Sequence, residues 1–280
     1  MYDEAGGADP APLGVRMPKF NLEGLIPLIL LVIIGIASLN YFGVVDIPYL
    51  PKGSGHVQLL FIGEPSLGEK VVLDNLSYML TYRIRDARTF GNAASEELSQ
   101  YDMVMLDQSL TIKSVSVSLG EALKNYVNKG GKLIVVKNSG IYQSVGLGGS
   151  VATDVIGWKS TFGDIMPMEC VLGPTNVPTC SEGQEVAIAG RIRRQIYTHP
   201  IMMGIELTPP EGVAPYQLRV FGIQANEGAK TIAYIQSEGT PMTYPAILEK
   251  KNFPFGTVIY FNYDPGYTPG ILNNTIKYLQ

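Results

Sequence analysis

Reactive side chains are scarce in this chain. Two histidines and two cysteines in 280 residues are too few for a structural zinc site, and no metal or cofactor is expected. Only 16% of residues are charged and the formal net charge is −4, which excludes a basic nucleic-acid surface and so a nucleic-acid partner. There is no internal repeat. Apolar residues are plentiful, at 46%, enough for one large domain or two small ones. The 31 glycines and 19 prolines fall between apolar runs and read as turn chemistry.

Charge is absent from residues 25–45, LIPLILLVIIGIASLNYFGVV. About 20 apolar residues cross a bilayer core of roughly 30 Å, so this stretch is expected to be a transmembrane helix with the lipid bilayer as its partner. Pro27 would sit in the first turn, where its missing N–H is harmless. Tyr41 and Phe42 suit an interfacial position. A cleaved signal peptide is the alternative, but the run is longer than a signal core and no small-x-small site follows closely. Arg16 and Lys19 precede the span; Asp46 and then Lys52 follow it. The positive-inside rule therefore places the N-terminus in the cytoplasm and the rest outside the cell membrane.

Cys170 and Cys180 bracket VLGPTNVPT, a short polar loop that a disulfide would close in an oxidising compartment; two separate buried thiols are the other reading. Asn75 and Asn273 stand in acceptor sequons for glycosylation. The expected organisation is a tail over 1–24, the span over 25–45, a Pro- and Gly-rich linker over 46–56, and an α/β domain over 57–280 with an insert at 141–190.

Within that domain, HVQLLFIGE reads as a buried strand. Ser66 and Glu69 form a capping box before a helix whose apolar face is Val72, Leu73, Leu76, Met79 and Leu80. TYRIRDARTF reads as an edge or second strand, ASEELSQ as a short polar helix and YDMVMLDQ as a third strand. Ser118 and Glu121 suggest a second capping box, followed by the stripe Leu119, Ala122, Leu123, Tyr126 and Val127. Gly130 or Gly131 supplies the left-handed cap, and KLIVV is a central strand. This alternation predicts a parallel sheet with helices on both faces. Beyond residue 185, VAIAGRIRRQI, YQLRVFGIQ, AKTIAYIQ, YPAILEKK and GTVIYFNY read as strands with little helix between them. They predict an antiparallel extension, with the last strand and the helix TPGILNNTIKYL returning to the main sheet.

YDMVMLDQS, LKNYVNKGGKLIVVKNSG, THPIMMGI and FGTVIYFNYDPGYTPGILNNTIKYL, in that order, resemble the class I glutamine amidotransferase-like fold in its ThuA-like and related non-amidotransferase branches. The likeness covers residues 57–280 and is weakest over 141–190. It implies a three-layer, flavodoxin-like α/β architecture. Amidotransferases of that class carry a cysteine on the turn after the central strand and a late His-x-Glu pair. Here the turn reads KNSG, and no His-x-Glu occurs in the chain, so the glutaminase triad is missing and Ser139 stands on the reactive turn.

A serine nucleophile needs a histidine base oriented by a carboxylate. His56 lies in the linker. His199 reaches Ser139 only if the insert folds back over the sheet. Ligands of parallel sheets bind at the carboxyl ends of the strands, which here carry Glu64, Asp107, Gln108, Asn138, Ser139 and Asp264. The three carboxylates suit acid–base work or a cation; equally, each residue caps a helix or a loop. Gln108, Asn138 and Ser139 are the ligand-binding candidates. Arg191 and Arg193 share a strand face, as an anion or partner site or as a solvated face. FNYDPGYTPG is an aromatic loop suited to protein recognition or to ordinary packing. Two functions follow. One is a membrane-anchored, extracytoplasmic, non-catalytic module that binds protein partners in the membrane or cell envelope. The other is a hydrolase of saccharides or peptides, with Asp107, Asp264 and Glu64 acting and Ser139 or His199 assisting.

Overall fold

The computed structural model describes residues 22–41, 56–144, 156–173 and 178–280. The chain divides into two compact units, Met1–Gly55 and His56–Gln280. The expected tail as far as residue 21, the end of the expected span over 42–45 and the linker over 46–55 lie outside the described residues. In the first unit, α1 spans Leu22–Tyr41. It starts three residues ahead of the expected 25 and takes in Glu23, so Pro27 sits inside the helix rather than in its first turn. Side chains are described over 26–38, where Ile26, Leu31 and Ile33 are exposed. Among the described residues no helix is long and apolar enough to cross a membrane.

The second unit opens with β1 (Val57–Gly63), α2 (Leu67–Asn75) and β2 (Leu80–Arg85). It continues through α3 (Ala94–Leu98), β3 (Met103–Asp107), β4 (Ser114–Ser116), α4 (Val117–Asn128), β5 (Lys132–Val136) and β6 (Tyr142–Ser144). Then come α5 (Trp158–Phe162), β7 (Met168–Cys170), β8 (Val186–Arg194), β9 (Leu207–Thr208), β10 (Tyr216–Val220) and β11 (Ile223–Ala225). The chain closes with β12 (Ala229–Ser237), β13 (Thr243–Asn252), β14 (Gly256–Phe261) and α6 (Pro269–Leu279).

One sheet of ten strands dominates, in the order β10-β8-β12-β13-β14-β5-β3-β1-β2, with β9 on β8. β14, β5, β3, β1 and β2 are mutually parallel. Numbered among themselves they run 2-1-3-4-5, the flavodoxin-like order. The antiparallel strands continue this same sheet beyond β14.

The sheet separates two cores, because alternate strand residues face opposite sides. Leu59, Phe61, Met105, Ile134 and Phe261 pack with α2 and α6. Leu60, Ile62, Leu106, Leu133 and Tyr260 pack with α3, α4 and α5. Each of these fully buried side chains contributes roughly 1.5–3 kcal/mol relative to exposure.

Three local readings change. α2 ends at Asn75, so Leu76, Met79 and Leu80 of its expected apolar face lie beyond the helix, and Leu80 opens β2. Ser116, not Ser118, caps α4: its Oγ accepts from Leu119 N, while Ser118 Oγ only meets Ser116 Oγ. YQLRVFGIQ is two strands, β10 in the large sheet and β11 in a small one with β7. The break falls at Phe221, whose N–H donates to Asn262 Oδ1 and whose carbonyl accepts from Asn262 Nδ2. A side chain there takes the place of the strand ladder. Gly130, at φ +102°, ends α4 as expected.

Candidate functional site

The carboxyl ends of the parallel strands hold a carboxyl cluster, and its centre is a residue the sequence offered only as a cap. Ser66 and Glu69 form the capping box: Ser66 N donates to Glu69 Oε2 at 2.8 Å, and Glu69 N to Ser66 Oγ at 3.2 Å. Ser66 Oγ donates onward to Asp264 Oδ1 at 3.0 Å, which also accepts from Gly266 N at 2.8 Å. The turn at 264–266 approaches α2 so closely that a Cβ on Gly68 would strike the backbone of Gly266. Asp107, fully buried at the end of β3, accepts from Ser109 N at 2.7 Å.

Burial pushes Glu69 up to about 11, with the charges of Asp107 and Asp264 adding to it. Burial also raises Asp107, against hydrogen bonds from Ser109 and Glu69. Glu69 Oε1 is buried with no hydrogen-bond partner among the described residues. Burial and mutual repulsion thus both favour the neutral carboxyl in this cluster. Glu64 takes no part in it: the side chain is exposed, and only its N–H is engaged, with Asp107 O at 3.2 Å.

That bond closes the place where this topology usually takes ligands, between the first and third strands. Gly63, at φ +119°, has its Cα against the carbonyl of Asp107, where no side chain would fit. Gln108 seals the next gap. Its N–H donates to Ser139 Oγ at 2.7 Å and its Oε1 accepts from Gly140 N at 2.8 Å. Its Nε2 donates to the carbonyls of Ile112 and Ser114.

Ser139 is fully buried, and its carbonyl accepts from Trp158 Nε1 at 2.9 Å. It is therefore a tie between β3, β5 and α5. The strained residue of this turn is Lys137, the one non-glycine with positive φ (51°) among the described residues. A nucleophile elbow puts its nucleophile at such a position, ahead of a helix. Here β6 follows instead of a helix, and the Lys137 amine pairs with Glu185 at 3.3 Å beneath Phe221. Asn138 is buried with neither amide atom partnered.

His199 lies elsewhere. Its Nδ1 accepts from Ile201 N at 3.3 Å, and its Nε2 faces Glu249 Oε2 at 3.4 Å. Its ring stands edge-on to Tyr278, whose hydroxyl donates to Glu249 Oε1 at 2.5 Å. Burial opposes ionisation of Glu249, but the hydrogen bonds from His199 and Tyr278 prevail and hold it below the usual carboxylate range. α6 begins beside the strand ends, and Tyr278 comes nine residues after Pro269, about 14 Å along the helix. Glu249 is in register with Ile259 of β14 and through it with Ile134, the middle of β5, so His199 sits against the middle of the sheet, beside Glu249 and Tyr278.

Of the three arginines, Arg191 is bound to Glu238 and to three carbonyls, Arg194 lies over Tyr197, and Arg193 lines a cavity. The loop after β14 packs inward at Tyr263 and exposes Tyr267. Cys170 and Cys180 are joined in a disulfide, Cα atoms 5.7 Å apart.

Three features escaped the sequence reading: Glu69 as a buried acid, Lys137 on the strained turn, and the Glu249–His199–Tyr278 group. For Glu69 the signal was its place beside a strand end. The other two depend on contacts across 48 and 50 residues.

No protein-family profile and no curated protein sequence matches the chain. Among solved structures, it is similar to a cold-adapted β-galactosidase from Rahnella sp. R3, at 14% identity and TM-score 0.47 over 80% of this chain. It is likewise similar to a β-galactosidase from Bacillus circulans sp. alkalophilus, at 15% identity and TM-score 0.43 over 80% of this chain. The chain spans 31% and 30% of the length of these two. It is similar also to the glutaminase domain of Trypanosoma brucei CTPS, at 10% identity and TM-score 0.40, covering 79% of this chain and 94% of that one. These likenesses concern the outline of the fold and carry no activity across.

Proposed function

We propose that this chain is a membrane-anchored, extracytoplasmic binding or scaffolding domain on an amidotransferase-like fold, with no chemistry at its strand-end turn. One observation carries the reading: the Ser139 hydroxyl is buried as the acceptor for Gln108 N, while the histidine that would activate it is engaged at both ring nitrogens by Glu249 and Ile201. The turn keeps its place in the fold and has no base. The anchor is read from the charge-free, apolar residues 25–45 of the sequence. The disulfide supports an oxidising compartment for the domain, and a short tether would raise its effective concentration for partners in the membrane or cell envelope.

The test is enzymatic and physical together. The purified full chain should show no glutaminase, glycosidase or peptidase turnover, and gentle solubilisation should recover it with other envelope proteins. Turnover lost in both Ser139→Ala and Asp107→Asn would sink the reading. It would favour instead a hydrolase built on Asp107, Asp264 and Glu69, whose motive is the gathering of these carboxyls at the strand ends.

A further inference from the structure

The strand-end cluster is closed, but a cavity of about 610 Å³ opens beside it, between β8, β9, the start of β10 and the start of α6. Arg193, Glu206, Thr208, Glu211, Tyr216 and Gly270 are on its walls. The walls are held in place. Arg191, two residues before Arg193 on the same strand face, donates to Glu238 Oε1 at 2.7 Å. It donates also to the carbonyls of Pro209, Pro210 and Val213 at 3.0, 2.6 and 2.6 Å, which fixes the segment bearing Glu211. Thr208 Oγ1 and Tyr216 OH lie 2.9 Å apart, and Tyr267 stands at 6.0 Å from the Tyr216 ring.

Of the wall's polar groups, Thr208 and Tyr216 meet each other, while the charged ones, with Glu206 and Glu211 exposed, pair with no other described side chain. Among the described residues Arg193, Glu206 and Glu211 form no ion pair. Arg193 Nε is buried with no acceptor.

The mixture of charges selects the ligand. A simple anion is drawn by the guanidinium and repelled by two carboxylates; a simple cation meets the reverse. A hydroxyl satisfies both, since it accepts from a guanidinium and donates to a carboxylate at once. Ile205, Leu207 and the Tyr216 ring add apolar surface for the C–H face of a ring. We propose that this cavity binds a small neutral saccharide. The proposal rests on the reading of the domain as a binding module, and it names that module's ligand class.

The test uses the full chain in lipid nanodiscs, since sugar-headed detergents would compete. Lactose, cellobiose and chitobiose are the neutral probes, galacturonate an acidic one and diglycine a peptide one, read by saturation-transfer NMR and titration calorimetry. At least one neutral disaccharide should bind, and Arg193→Gln should weaken it at least about tenfold. Glu211→Gln, on an exposed segment, should weaken it as well and carries the test if the Arg193 variant does not fold. Arg88→Gln, remote from the cavity, should leave binding unchanged. The proposal is overturned if no neutral saccharide binds, if galacturonate or diglycine alone binds, or if the cavity variants bind like the wild type. Turnover of a bound saccharide would overturn the non-catalytic reading and leave the cavity's ligand standing. Absence of binding would remove the ligand and leave the module reading intact.

Discussion

A serine on a turn looks the same in sequence whether it reacts or holds the fold. What separates the two is the partner of its oxygen, and at Ser139 that partner is Gln108 N, 31 residues away. Ser139→Ala would bury this N–H without an acceptor and should destabilise the domain by about 1–3 kcal/mol, measured by urea unfolding; an unchanged midpoint would show that the tie is dispensable. Glu69 was legible as a cap because capping is local and its spacing is fixed. Its protonation was not legible, since it depends on Asp107 and Asp264 being folded against it. The sign of its effect is clear. A carboxyl raised to about 11 in the fold contributes its full stability below the ordinary carboxylate pKa and loses it as pH rises from there towards about 11. The slope is about 1.4 kcal/mol per pH unit for one proton. Glu69→Gln keeps a neutral donor in place and should flatten this decline, so that the variant melts at or above the wild type at pH 9 while the two converge near pH 5. A wild-type slope surviving in the variant would mean that Glu69 is ionised.

Elements that rest on local pattern were legible: α2, α4, β5 and the stripe Leu119, Ala122, Leu123, Tyr126 and Val127, all of it buried. Elements that rest on distant side chains were not, as the break between β10 and β11 at Asn262 shows. His199 belongs to this second kind. Its neighbour Pro200 pointed to a structural turn, and its carboxylate partner on β13 could not be foreseen. Glu249, held below the usual carboxylate range, contributes stability above its unfolded pKa and loses it as pH falls through its folded one. Glu249→Gln should therefore shallow the acid limb of the unfolding profile while lowering stability at neutral pH. A lowered midpoint with the acid limb unchanged would assign that limb to other carboxyls. The disulfide acts on an element of its own. Cys170 and Cys180 are 10 residues apart, so closing that loop constrains the unfolded chain by about 2–3 kcal/mol. Because β7 and β11 form a separate small sheet, Cys170→Ser with Cys180→Ser should speed amide exchange there first. Uniform loss of protection across the large sheet would contradict a local role.

At the scale of the whole chain, composition and strand order said most about architecture and least about surroundings. The parallel half was predictable because each strand alternates with an amphipathic helix. The antiparallel half was predictable as strands but not in all its pairing: β12 and β13 meet through the turn holding Gly239 and Pro241, whereas β8 pairs with β10 and β12 across long intervening stretches. The N-terminal region poses the remaining question, because one apolar stretch fits both a retained anchor and a removed leader. The two predict different chains. A retained anchor keeps residues 22–41 in the mature protein, resists alkaline carbonate extraction and is freed only by detergent, because burying about 20 apolar residues in lipid far outweighs any surface attraction. A leader leaves a mature chain that starts beyond residue 45 and washes from the membrane. N-terminal sequencing of the membrane-derived protein should begin ahead of Leu22, and deletion of 1–45 should release the domain with its disulfide intact. Protease added outside sealed cells should then cut the full-length chain within 46–280 and spare the tail. A tail cut from outside, with the domain protected, would reverse the orientation that Arg16 and Lys19 favour.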